Sequence, residues 1–172
     1  MTTKQITPDT QDEQIKYLYE SAFPENEQIP WKDLVGLIST MKLDFTAYYQ
    51  DENLIGFTIV YPRKQFNWFW YFAVKPDLRG AGLGQQILTM LIEKYKDSSN
   101  ILDMESPEQE CDNLAQRKRR HDFYLRNGFR DTGVCKTFGD VTMTIMMHGE
   151  GTFTMQDYDD VLAELQTFWS WD

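Results

Sequence analysis

Three glycines, Gly80, Gly82 and Gly84, punctuate the segment Arg79-Gly80-Ala81-Gly82-Leu83-Gly84, between a continuously apolar run and a stretch with helical spacing. Glycine lets backbone N–H groups approach an anion with no side chain in the way, and the first turn of a helix adds its own unsatisfied amides. The segment therefore predicts a phosphate site, although glycines at such spacing also serve tight turns. Two nucleotide motifs do not fit. A P-loop requires Lys and then Ser or Thr after its last glycine, where this chain has Gln85-Gln86, and the dinucleotide fingerprint spaces its third glycine differently. Asp103 stands where a ribose-binding acid would be sought, but it follows a second strand, which is the wrong context.

The elements that must position this loop are those of a compact α/β domain. Asn67–Val74 is apolar without alternation, which predicts a strand covered on both faces, and so the central one. Residues 85–96 carry Ile87, Leu88, Leu91 and Ile92 at helical spacing, with Lys94 and Lys96 suiting the C-terminus. A right-handed crossover then leads to a parallel strand at 101–105. Upstream, a strand is expected at 4–7, then a helix capped by Thr10 or Asp12 that carries Ile15, Leu18, Tyr19 and Ala22 and is stopped by Pro24. A helix after Pro30 turns Trp31, Leu34, Val35 and Ile38 inward, and strands at 44–50 and 54–61 form a hairpin about Asp51-Glu52-Asn53. Downstream come a helix at 113–127, capped by Asn113 and ended by Gly128, and a hairpin of 130–138 and 141–148 turning at Gly139-Asp140. Thr154 caps a last helix with Val161, Leu162, Leu165, Phe168 and Trp169 on one stripe. That stripe packs on its own domain in the simplest reading; a homodimer contact or a pocket cover are the others.

A chain of 172 residues fits one domain, here residues 1–149 with an acidic helical extension at 150–172 packed on it. The excess of 27 acidic over 17 basic side chains, a formal charge of -10, excludes general attraction to nucleic acid or to an anionic membrane. The balance reverses locally, because 113–130 holds Arg117, Lys118, Arg119, Arg120, Arg126 and Arg130 against Asp122. Residues 117–120 read most simply as a solvated helix face, with contact to an anionic ligand as the alternative. Cys111 and Cys135 lack metal-ligand spacing and read as free thiols, so no metal is expected. No signal-like or spanning apolar run is visible, and a cytoplasmic location is expected.

Arg79, Gly82 and Gly84 follow the pattern Arg or Gln, two residues, Gly, one residue, Gly or Ala, and here the sequence resembles the GNAT N-acetyltransferase superfamily. Phe72-Ala73-Val74-Lys75-Pro76-Asp77-Leu78 is similar to that family's central strand and following turn. Phe123-Tyr124-Leu125-Arg126-Asn127-Gly128-Phe129 is similar to its second signature, and the order of elements agrees over 4–148. The chain departs from the pattern at Arg117, where many members have Asn, and at Arg120, where a small residue is usual. The resemblance implies an α+β type of α/β fold, in which a mixed central sheet with splayed parallel strands is flanked by helices, plus the C-terminal helix. It implies acetyl-CoA as acetyl donor, with the pantetheine arm in the splay and the pyrophosphate on the loop. The implied cofactor contacts are Phe72, Ala73 and Val74, then Arg79, Gly80, Ala81, Gly82, Leu83, Gly84 and Gln85.

Acetyl transfer from a thioester needs a neutral amine, donors for the oxyanion that forms and a proton for the leaving thiolate. By resemblance, amides of the 72–74 strand bind the thioester carbonyl and Tyr124 serves the sulfur. Glu105, at the end of the strand opposite the cofactor, is the expected base, with Asp103 on the same face as its helper. Glu27 and Trp31 lie where the family shapes its acceptor pocket, and they are expected to meet a small-molecule or peptide amine. The expected activity is N-acetyl transfer to a primary amine in a ternary complex; the alternative is a non-catalytic acyl-CoA-binding regulatory protein of the same fold.

Overall fold

The computed structural model describes residues 1–10 and 12–170. Seven strands, β1 (Thr2–Gln5), β2 (Asp44–Gln50), β3 (Asn53–Tyr61), β4 (Asn67–Val74), β5 (Asn100–Glu105), β6 (Arg130–Phe138) and β7 (Val141–His148), form one sheet ordered β1-β2-β3-β4-β5-β7-β6. Five α-helices flank it: α1 (Glu13–Ala22), α2 (Trp31–Thr40), α3 (Leu83–Lys94), α4 (Leu114–Arg126) and α5 (Met155–Phe168). The apolar run at 67–74 is the fourth strand of seven, as its two-sided burial requires. One face of the sheet packs Val60, Phe69 and Met146 against Leu88 and Leu91 of α3 and Tyr124 of α4. The other packs Phe45, Phe57, Trp68 and Tyr71 against Tyr19, Leu34 and, from α5, Tyr158, Val161 and Leu165. Each such side chain contributes ~1.5–3 kcal/mol when fully buried.

Four local details differ from the sequence expectation. The first strand lies at Thr2–Gln5 rather than 4–7, where it pairs antiparallel with β2. The helix expected at 85–96 starts two residues earlier, since Gly82 adopts a left-handed φ of 78° at its N-cap, and its last residue is Lys94. Asn113 occupies the cap position of α4 without a side-chain cap bond, whereas Asp12 caps α1 by accepting from Gln14 and Ile15, and Thr154 and Asp157 form a reciprocal capping box on α5. On α5 Tyr158, not Phe168, completes the buried stripe; Phe168 is 39% exposed.

The feature that matters for a site is where β4 and β5 part. They pair in parallel only at Asn67↔Asn100 and Trp68↔Ile101. At that closed end the Asn67 side chain donates to the Asn100 side chain over 2.9 Å, both buried, and the Asn67 amide donates to Ser99 O. Beyond it β4 bulges: Tyr71 pairs with Ile59 and Phe69 with Val60, which leaves Trp70 as the extra residue. A bulge bends and twists its strand, and here it turns β4 away from β5, which stays paired with β7 along its whole length. The splay is thus built from a side-chain clasp at one end and one inserted residue beyond it.

Candidate functional site

A cavity of about 1000 Å³ runs through the parting. The edge of β4 that would have met β5 is without a strand partner beyond Trp68. Lys75 N donates to Ile55 O on β3, so by strand alternation the amides of Val74 and Phe72 turn the other way, into the gap. Gly56 makes this approach of β3 and β4 feasible, because a Cβ there would lie 2.2 Å from Ala73 O. Phe72, Ala73 and Val74 all line the cavity. Backbone donors with no strand partner, held rigidly beside an apolar channel, are suited to carbonyl groups of an entering ligand.

At the mouth, Arg79 and Gly80 line the same cavity, and the loop then enters α3. Gly80 and Gly82 hold φ of 88° and 78°, and a Cβ at either would project into space with nothing within 4 Å. The left-handed turns bring the first amides of α3 to bear on that open space, as an anion requires. Leu83 is buried beneath the loop and leaves only its backbone to a ligand, while Gln85 exchanges side-chain hydrogen bonds with Asn127 and reaches Thr89. Arg119 and Arg120 of α4 add positive charge along the cavity wall. The loop, the open amide edge and the arginines suit an elongated anionic molecule whose far end is uncharged.

Tyr124, 8% exposed, lines the channel from the α4 side, and burial holds its phenol above the ordinary range, so it carries its proton at neutral pH. Facing it across the sheet are Glu27, Asp103 and Glu105. Glu27 ends the short 3-10 turn Glu25–Glu27, where Tyr71 donates to its carbonyl over 2.8 Å. Burial, reinforced by the negative charges of Glu105 and Asp103 and offset by Arg120 and Arg117, pushes its carboxyl up to about 7. Asp103 accepts from the Trp68 indole at 2.9 Å, and burial raises it too. Glu105 is bound to Arg117 by a 2.6 Å ion pair.

That ion pair corrects the reading of residues 117–120 as a solvated face at Arg117 alone, since Lys118, Arg119 and Arg120 are exposed. Arg117 is 5% exposed and also donates to Ser106 O and to the Gln109 side chain, so the departure from the family pattern at this position is a buried structural cation. Trp31 is a second correction: its ring lies against Tyr19 and Phe45 between the helices and does not reach the cavity. The bulge, the Trp68–Asp103 bond and the exposure of Tyr158 to the cavity were not anticipated. The stripe expected on the last helix omits Tyr158, which helical spacing back from Val161 would add, but no sequence signal marks which way a hydroxyl faces.

Residues 42–131, more than half of the chain, match the family model for the acetyltransferase (GNAT) domain. The chain belongs to the GNAT acetyltransferase family. Among curated proteins no sequence matches it. A GNAT-family protein of Bacteroides thetaiotaomicron is 26% identical, the match covering 97% of each chain with a TM-score of 0.77. A GNAT acetyltransferase from Elizabethkingia anophelis, solved with acetyl-CoA bound, is 16% identical over 87% of this chain and 97% of its own, with a TM-score of 0.62. The aminoglycoside 6'-N-acetyltransferase of Enterococcus faecium is 14% identical over 86% of this chain and 96% of its own, with a TM-score of 0.63. The GNAT match ends within β6, so α5 lies outside it.

Proposed function

We propose that this protein transfers the acetyl group of acetyl-CoA to a primary amine by direct attack within a ternary complex. The observation that carries the reading is the placement of Glu27 and Tyr124 on opposite sides of one channel, beside the open amide edge of β4. When bound, acetyl-CoA supplies a thioester carbonyl to be attacked and a thiolate to depart. The loop at 79–84, with Arg79 at the mouth, holds its phosphates, and Phe72 and Val74 amides hold its carbonyl and receive the developing oxyanion. The neighbour from Elizabethkingia anophelis, of like fold and solved with acetyl-CoA bound, supports acetyl-CoA as the donor.

In the acceptor half, Glu27 takes the proton from the incoming ammonium, directly or through water, and its carboxyl near 7 suits a base at neutral pH. Glu105 is less suited to that step, because protonating it would strand the buried Arg117 guanidinium. It contributes instead the negative field that keeps Glu27 basic. As nitrogen bonds to the carbonyl carbon and the carbon–sulfur bond breaks, Tyr124 gives its proton to the sulfur, and the proton that the new amide nitrogen sheds restores the phenol. The reading places the protein in the cytoplasm, where its free thiols at Cys111 and Cys135 are at home. Thiol release from acetyl-CoA, measured with and without a panel of primary amines beside CoA binding alone, tests it; binding without amine-dependent release would leave a non-catalytic binder.

A further inference from the structure

The acceptor half of the cavity holds polar groups for which the proposed reaction has no use. Tyr158 of α5 is 1% exposed yet lines the cavity, and its hydroxyl makes no hydrogen bond to the described residues. Burial, with repulsion from Asp103 and Asp159, raises its phenol well above the ordinary range and keeps it protonated. Asp103 lines the same chamber with one carboxylate oxygen taken by the Trp68 indole. A desolvated carboxylate and an unpartnered hydroxyl lining one cavity can serve together as a station for a cation, which would restore the charge that burial disfavours.

α5 is fixed firmly enough to act as a wall. Tyr158, Leu162 and Leu165 face the cavity at positions i, i+4 and i+7. Arg63 pairs with Glu164 at 2.7 Å from the end of β3, and Lys136 of β6 pairs with Asp159 at 2.9 Å. The cavity that Glu27 and Asp103 line is also lined by Trp70, which stacks on Trp68, and by Leu162. A cavity that combines apolar lining with two acidic positions suits a chain of methylenes with an amine at each end.

Resting on the amine-acetylation reading, we propose that the acceptor is a linear diamine and that Tyr158 with Asp103 binds its second, non-reacting ammonium, making Tyr158 a specificity-determining residue supplied by α5. The test compares linear diamines of three to six carbons with butylamine, on the full chain and on Tyr158→Phe and Asp103→Asn. The expected result is that at least one diamine exceeds butylamine in kcat/KM, and that each variant lowers that ratio by about tenfold or more, the order for losing a hydrogen bond to a charged group. Tyr158→Phe keeps the ring that packs in the core, and thermal melting checks its fold.

An unchanged ratio in both variants, or butylamine acetylated as well as every diamine, overturns the proposal and leaves amine acetylation standing. Calorimetric titration of the CoA-loaded protein separates the opposite case. A diamine that binds, and binds about tenfold weaker to Tyr158→Phe, without thiol release from acetyl-CoA supports the cation station and overturns the reaction. Neither binding nor turnover with any of these amines overturns both.

Discussion

Arg117 and Glu105 form a 2.6 Å ion pair between α4 and the open end of β5, with side chains only 6% and 13% exposed. The pair ties the helix that carries Tyr124 to the strand that carries the acids. One nitrogen of the guanidinium, Nε, is buried without a partner, so the cation is desolvated and depends on Glu105, Ser106 and Gln109. Removing one partner of a buried pair costs more than the pair itself is worth, because the other charge is stranded.

Arg117→Ala should therefore lower unfolding free energy by about 3 kcal/mol in urea titration. A loss below about 1 kcal/mol, the size of an exposed pair, would show that the cleft end of α4 is wetter than its packing indicates.

Glu27 predicts the shape of the pH profile. A general base must be unprotonated, and a carboxyl at about 7 is protonated below that pH, so kcat/KM should rise with pH through about 7. Glu27→Gln should remove this limb and lower turnover by about 10²- to 10⁴-fold. A limb that survives in the variant assigns the proton to another group lining the cavity, such as Asp103.

Tyr124→Phe keeps the ring that packs against Phe123 and Phe129. Turnover should fall by about 10²- to 10⁴-fold while CoA binding, measured calorimetrically, stays within about twofold, as for loss of a general acid. Unaltered turnover removes the hydroxyl from the reaction.

For the loop, Gly82→Val meets no steric obstacle, since nothing lies within 4 Å of its Cβ, but its φ of 78° is one that valine resists. The left-handed penalty of about 1–2 kcal/mol converts to about tenfold weaker CoA binding if the loop must regain this conformation to bind. A Kd within twofold of the parent would detach the phosphates from this turn.

Much of this arrangement was legible before the fold. Patterns that depend on local chemistry survived: the Asp51-Glu52 hairpin turn, whose two residues hold φ of 51° and 69°, the Gly128 helix stop at 85°, and the apolar run of β4 at the sheet centre. What failed depended on partners distant in sequence. Arg117 looks like a surface charge among Lys118, Arg119 and Arg120 until β5 brings Glu105 against it. Trp31 looks like an acceptor-pocket aromatic until Tyr19 and Phe45 enclose it. The bulge at Trp70 is invisible because 68–74 is apolar throughout, so no break in alternation marks the inserted residue, and the acidity of Glu27 is set by its burial and then by Glu105 and Asp103, some eighty positions away.

The central claim is direct transfer to an amine, and product stoichiometry tests it most directly. Free thiol and N-acetylated amine should appear in a one-to-one ratio, only when the amine is present, with no acetyl group on the intact protein by mass spectrometry. Thiol released without amine, a stably acetylated protein, or CoA bound with no product from any primary amine would contradict it.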